Sequence, residues 1–256
     1  MVAAVALAVV GACAPAPPGT IVTGAPTTTP EQSRPPRPST ATVRPVIIVP
    51  GWEFGCEMAP AWKWIPWTST FEAAGVPADW IQIFDTDRCE RNTVLAELLG
   101  QWIDALLART GARQVDLIAH SMGALTARWC IVKGSCAGKV ANVVTLSGAN
   151  HGTVWAEMCA VVFWSKSCPD LAPTSPMLTE LNAGDETPDG VRWQTWVSVC
   201  EIAIVPQTSA LLDGAENHYL TDCVTHDSWK WYRPTIDLVV AELTSGVGSI
   251  AAMTPA

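Results

Sequence analysis

The chain has 256 residues, of which 49% are hydrophobic and only 15% charged, with a formal net charge of −9. That length suits one α/β domain with a full core. The acidic balance argues against a nucleic-acid partner and offers no basic face to anionic lipid. Beyond the N-terminus no run of 18 or more apolar residues is present to span a membrane.

Residues 1–12, MVAAVALAVVGA, form an apolar segment too short for a spanning helix. It reads as the apolar region of a signal peptide, without the usual positive start. Val10-Gly11-Ala12-Cys13 resembles a bacterial lipobox, which makes Cys13 a candidate lipid-anchor site; ordinary leader cleavage between Ala12 and Ala16 is the competing reading. Residues 14–44 are rich in Pro, Thr and Ser and lack large apolar side chains. Such a segment buries too little surface to fold and is expected to be an extended linker. The expected division is a leader or lipobox segment at 1–13, the linker at 14–44 and a folded domain at 45–256.

The domain opens on Val46-Ile47-Ile48-Val49, a buried strand of the parallel kind. It runs into a tight turn, Pro50-Gly51-Trp52. The tryptophan-dense stretch Ala61 to Trp67 either lines a binding groove or caps the core, with packing the default for each ring taken separately. Trp80 to Phe84 reads as the next strand. From Asn92 to Arg109, Val94, Leu95, Leu98, Leu99, Trp102, Ile103, Leu106 and Leu107 repeat at helical spacing, and Gly111 follows.

Val115 to Ala127, VDLIAHSMGALTA, is the stretch that carries chemistry. An apolar strand breaks at Ala119-His120-Ser121-Met122-Gly123 and continues as a helix with Ala124, Leu125 and Ala127 inward. Strand, sharp turn and helix with a serine at the apex is a nucleophile elbow, here with Ala119 in place of the first glycine of G-x-S-x-G. The turn lifts the serine Oγ above the sheet edge at a helix N-terminus, where free N–H groups favour a developing anion. In that arrangement Ser121 is the nucleophile, and the N–H groups of Trp52 and Met122 form the oxyanion hole.

Val140 to Leu146 is another buried strand, ending in Ser147 to Thr153. His151 lies just past its end but precedes every plausible acid, so its expected role is to hydrogen-bond the loops around the site. Val154 to Cys168 is apolar, a candidate wall or lid or an ordinary core-facing helix. A short helix from Pro176 to Leu181 and an Asn-Ala-Gly-Asp turn follow. Val191 to Val199 alternates as a strand and runs into Glu201, the acid expected to orient the general base, with Asp213 as a competitor more typical of a plain turn. Tyr219-Leu220 reads as a last short strand. His226 follows the acid and is the expected general base; His218 reads as an exposed strand-edge histidine, and Asp227 as pointing away from the imidazole. A C-terminal helix covers Pro234 to Leu243.

Nine cysteines suggest an oxidising compartment. Setting Cys13 aside leaves Cys56, Cys89, Cys130, Cys136, Cys159, Cys168, Cys200 and Cys223, enough for four bridges. Sequential pairing is the expectation, although sequence alone does not fix connectivity. There is no C-x-x-C, and the four histidines do not fall at ligand spacing beside cysteines, so no metal is expected.

Taken in order, Pro50-Gly51-Trp52, the Ser121 elbow, Gly152-Thr153, Leu181-Asn182-Ala183-Gly184, Glu201 to Pro206 and the His226 loop resemble the small secreted triacylglycerol lipases of class 2. More distantly they resemble the fungal lipase B type. The resemblance covers residues 45–243. It implies an α/β-hydrolase fold, a mostly parallel sheet with helices on both faces. Carried over by position, it implies Ser121 as nucleophile, His226 as base and Glu201 where the family has aspartate. A histidine before Gly51 is missing, and Trp52 is bulky at the oxyanion position and should narrow the mouth. The 56–89 pairing also resembles the fungal type.

The expectation is a secreted, monomeric serine carboxylic-ester hydrolase acting on an ester or lipid through an acyl-enzyme, without cofactor or metal, and anchored at the membrane if Cys13 is lipidated. Acyl transfer on the same residues and an inactive hydrolase-fold binding module are the alternatives.

Overall fold

A computed structural model of the chain describes residues 22–23, 43–52, 60–87, 89–163 and 165–245. Residues 1–13, with Cys13, and Cys56 lie outside the described residues. In chain order the elements are β1 (Val22–Thr23), β2 (Val46–Val49), α1 (Ile65–Ala73), β3 (Ile81–Ile83), α2 (Asn92–Thr110), β4 (Val115–His120), α3 (Gly123–Val132), β5 (Val140–Leu146), α4 (Ala156–Phe163), α5 (Pro176–Leu181), β6 (Arg192–Ser198), β7 (Glu216–Leu220) and α6 (Arg233–Thr244).

One sheet runs β1-β7-β6-β5-β4-β2-β3. Every pairing is parallel except β1 with β7. Helices cover both faces, as an α/β-hydrolase sheet requires. The unbroken apolar run of β2 follows from that layering, because each successive side chain enters a different core. Val46 and Ile48 enter the one built with Trp64, Trp67 and Phe71 at α1 and Ile236, Val239 and Val240 of α6. Ile47 and Val49 enter the other, with Leu95, Leu99 and Ile103 of α2 and Leu125 of α3. Each such fully buried side chain contributes about 1.5–3 kcal/mol relative to exposure.

Within the 14–44 segment, residues 22–23 and 43–44 are described. Val22–Thr23 pair antiparallel with Tyr219 and His218 of β7. The last strand is also longer than the pair Tyr219-Leu220, starting at Glu216. His218 is not an exposed edge histidine. Its ring stacks on Trp196 at a centroid distance of 3.9 Å, between β1 and β6, and burial pushes its pKa down.

The tryptophan-dense stretch contains a helix that its residue types conceal. Pro66 falls in the first turn of α1, where its missing N–H costs nothing. Trp67 and Phe71, four residues apart, then share the buried face, while Trp62 is exposed. The helix α2 stops at Gly111, whose φ of 70° and N–H to Leu107 O close the last turn. Its first turn is capped from a distance: buried Asp170 accepts from the Asn92 N–H at 3.0 Å.

Candidate active site

The chemistry-bearing residues gather at the carboxyl ends of the parallel strands. Ser121 follows β4 directly and takes φ 56°. Its N–H donates to Leu146 O at 3.0 Å, and its carbonyl accepts from Ala149 N at 3.1 Å, so β5 and its following loop clamp the turn. Two glycines make the turn possible. A Cβ at Gly123 would meet Val49 O at 2.2 Å, and one at Gly51 would meet Ser121 Cβ at 2.6 Å and Oγ at 3.1 Å. Residue 51 therefore has to be bare for the loop after β2 to pass beside Ser121. Ala119, in place of the first glycine, is fully buried without displacing the strand.

His226 Nε2 lies 2.8 Å from Ser121 Oγ. On its other side, His226 Nδ1 lies 3.0 Å from Glu201 Oε1 and 2.9 Å from Oε2. A carboxylate only accepts, so Nδ1 carries the proton and Nε2 receives the serine O–H. Glu201 is fully buried. Its Oε1 also accepts from Ala203 N at 2.7 Å and Ile204 N at 3.0 Å. Burial works to raise its pKa, but the hydrogen bond and charge of His226, the Ser147 hydroxyl and the Ile204 N–H outweigh it, and the carboxyl is held below its ordinary value. The competing acids are elsewhere. Asp213 donates its N–H to Glu186 Oε2 at 2.8 Å and lies on an exposed turn, and Asp227 binds Lys230 Nζ at 2.7 Å.

Two loops separated by strand β7 carry Glu201 and His226, and covalent and polar ties hold them together. Cys200 is bonded to Cys223. Ser198 Oγ, at the end of β6, accepts from Cys200 N and Val224 N, both at 3.0 Å, and donates to Asp222 O at 2.9 Å. The expected bridges Cys130–Cys136 and Cys159–Cys168 are also present. Cys89 is disulfide-bonded, while its expected partner Cys56 lies outside the described residues.

His120, next to the serine, does work that the sequence reading did not assign. Its Nε2–H donates to His226 O at 2.8 Å, and the two rings lie 4.7 Å apart. Burial, followed by the charges of His226 and Lys230, pushes its pKa well below the ordinary histidine value. It is therefore a neutral donor that fixes the backbone of His226.

His151 stands apart, with Nε2 2.7 Å from Glu186 Oε1, and its backbone N–H donates to Ser209 O at 2.9 Å. The Glu186 hydrogen bond raises its pKa. Buried Arg128 holds the same loops, donating to Asn150 O at 2.9 Å and Asn182 Oδ1 at 2.8 Å. Met122 is the N-cap residue of α3, and Trp52 leaves the β2 turn with its side chain packed against the α2–α3 core. The Trp155 indole N–H donates to Ile202 O at 2.9 Å, and with Val154, Met158 and Ile202 it stands exposed beside the acid loop.

Among the described residues, no group of three or more His, Cys, Asp or Glu side chains could hold a metal ion, and no helix is long and apolar enough to cross a membrane.

Residues 44–229 match the family model described as Lipase (class 2). The chain belongs to the class 2 lipase family. A curated triacylglycerol lipase of Pseudomonas fragi is 38% identical over 72 residues, which are 28% of this chain and 24% of that protein. The matched region thus spans about a quarter of that relative. Among solved structures, Aspergillus fumigatus lipase B aligns with a TM-score of 0.64 at 18% identity, over 78% of this chain and 52% of that one. A mature Bacillus licheniformis lipase aligns at 0.62 and 15% identity, over 80% of this chain and 94% of that one. At such identities the structural likeness carries the α/β-hydrolase fold. The resemblance to class 2 is borne out, and the likeness to the lipase B type holds for the fold.

Proposed function

We propose that this class 2 lipase chain is a serine carboxylic-ester hydrolase working through an acyl-enzyme. The observation that carries the reading is the continuous line Ser121 Oγ to His226 Nε2 at 2.8 Å and His226 Nδ1 to Glu201 Oε2 at 2.9 Å. Ser121 Oγ attacks the ester carbonyl while its proton passes to His226 Nε2. Buried, ionised Glu201 holds the ring in the required tautomer and stabilises the imidazolium. The amides of Met122 and Trp52 donate to the tetrahedral oxyanion. The contact distances at Gly51 support this, since they bring the turn after β2 against Ser121. His226 returns the proton to the leaving alcohol, and water repeats the sequence to release the acid. Nothing in these steps calls for a metal or organic cofactor.

An ester with an apolar acyl group suits the exposed Val154, Trp155, Met158 and Ile202 beside the acid loop. Three disulfides among the described residues support a site of action outside the cytosol, with residues 1–13 as leader or, at Cys13, lipid anchor. The test is hydrolysis of p-nitrophenyl esters of increasing acyl length by the wild type and by Ser121→Ala. Saturable, Ser121-dependent turnover supports the reading, and equal turnover by both proteins rejects it.

A further inference from the structure

The Gly152-Thr153 pair after β5 takes no part in the steps above, yet it is bonded to the loop that carries the acid. Gly152 has φ 83°, and a Cβ there would meet Leu171 O at 2.5 Å. The Thr153 N–H donates to that same carbonyl at 2.9 Å, and the Thr153 side chain is buried. A hydroxyl has one proton to donate and two lone pairs, and Thr153 uses all three. Its Oγ1 donates to Ala203 O at 2.7 Å and accepts from Val205 N at 3.2 Å and Trp155 N at 3.4 Å.

Ala203 O and Ile204 N belong to one planar peptide group, so fixing the oxygen fixes where the N–H points. That N–H donates to Glu201 Oε1 at 3.0 Å. The preceding peptide group repeats the arrangement. Its oxygen, Ile202 O, accepts from the Trp155 indole at 2.9 Å, and its N–H, Ala203 N, donates to Glu201 Oε1 at 2.7 Å. Val154 N closes the turn onto Val205 O at 3.1 Å. Both peptide groups that grip the carboxylate are therefore held at their far ends by residues 153 and 155. Hydrogen bonds linked in series through a peptide group also polarise one another.

We propose that Thr153 is a positioning residue, whose hydroxyl sets the 203–205 turn so that its amides hold the Glu201 carboxylate on His226. This rests on the serine-hydrolase reading above. A glutamate has one more side-chain torsion to immobilise than an aspartate, and the oriented amides supply the restraint.

The test compares Thr153→Val, which keeps the shape and removes the hydroxyl, with Thr153→Ser, which keeps the hydroxyl. Each is made in the wild type and in Glu201→Gln. The readouts are kcat and KM on a soluble short-chain p-nitrophenyl ester, measured below the melting transition of each protein. Thr153→Val is expected to lower kcat about tenfold at nearly unchanged KM, the scale of one buried hydrogen bond left unmade. Thr153→Ser should recover most of that loss. In the Glu201→Gln background the effect of Thr153→Val should shrink toward none, because the charge that the turn positions is gone. A residue that merely stabilises the fold would cost the same factor in both backgrounds, and that result overturns the proposal. So does an unchanged kcat in Thr153→Val, or a Thr153→Ser as impaired as Thr153→Val. Should Thr153→Val fail to fold, Thr153→Ala against Thr153→Ser decides by the same comparisons, since those two differ by the hydroxyl alone. Labelling of wild-type Ser121 by a fluorophosphonate separates the two claims: a labelled wild type with an unaffected Thr153→Val rejects the role of Thr153 alone, and an unlabelled wild type rejects the serine-hydrolase reading and the proposal with it.

Discussion

Glu201 grips His226 with both carboxylate oxygens, at 2.9 and 3.0 Å from Nδ1, from a side chain with no exposed surface. Replacing it by glutamine leaves the volume but removes the charge that selects the tautomer and stabilises imidazolium. Glu201→Gln should lower kcat by up to about 10⁴-fold with the fold intact. Asp213→Asn should leave kcat unchanged, since that acid lies on an exposed turn. Steady-state kinetics on both variants checks the pair, and a larger loss at Asp213 contradicts the assignment.

The Cys200–Cys223 bridge joins the acid loop to the histidine loop across 23 residues of chain. Closing a loop of that length stabilises the fold by about 3 kcal/mol through the unfolded state. Cys200→Ser/Cys223→Ser should therefore lower stability by roughly that amount. It should also lower kcat in the molecules that remain folded, because Glu201 adjoins Cys200. Denaturant melts alongside kinetics below the transition separate the two effects; an unchanged kcat would show that Ser198 and the surrounding backbone hold the loops unaided.

Asp116 offers a stability prediction far from the site. It is buried at the start of β4, accepts from Asn142 Nδ2 at 2.6 Å, and has Arg44 3.8 Å away. Burial outweighs both partners and pushes its pKa up to about 6. A raised carboxyl pKa favours the fold while the group is protonated, so this contribution is full below the unfolded value and is lost as pH rises through 6. The loss amounts to roughly 3 kcal/mol. Asp116→Asn mimics the protonated acid, and by pH 8 it should be more stable than the wild type, the two converging near pH 4. Parallel stability curves across that range would contradict the burial argument.

Gly51 tests the close approach of the turn after β2. The added methyl of Gly51→Ala has no space beside Ser121 and must displace Ser121 or the turn. The variant should lose kcat by about 10²-fold or more with modest loss of stability, as a misplacement of about 1 Å does. Activity equal to wild type would mean that the turn tolerates the shift and that its amide is not needed in place.

The strands and their order of function were legible because each carries a strong local signal. Val46–Val49 reads as buried on both faces, Asn92 to Arg109 keeps a helical period, and the residues from Ala119 to Gly123 are all small enough for an elbow except at His120 and Met122. Ser121, Glu201 and His226 stood out as polar residues placed just past strand ends, and the structure brings those three together. Other features had no such signal. The helix α1 hides behind tryptophans and Pro66, whose propensities are overridden by burial of Trp67 and Phe71. Val22–Thr23 pairs with a strand almost two hundred residues away, which no local pattern encodes. His120 and Arg128 act through contacts between distant segments. Only an unexplained polar residue in an apolar stretch, such as His120 after Ile118-Ala119, hinted at them.

The most direct test of the central claim is mass spectrometry of the intact protein and of its peptides after exposure to a fluorophosphonate. The account predicts one adduct per chain, located on Ser121, with turnover lost in proportion to labelling and no adduct on Ser121→Ala. An adduct on another residue with turnover lost, or unlabelled Ser121 in an enzyme that hydrolyses esters, would contradict it.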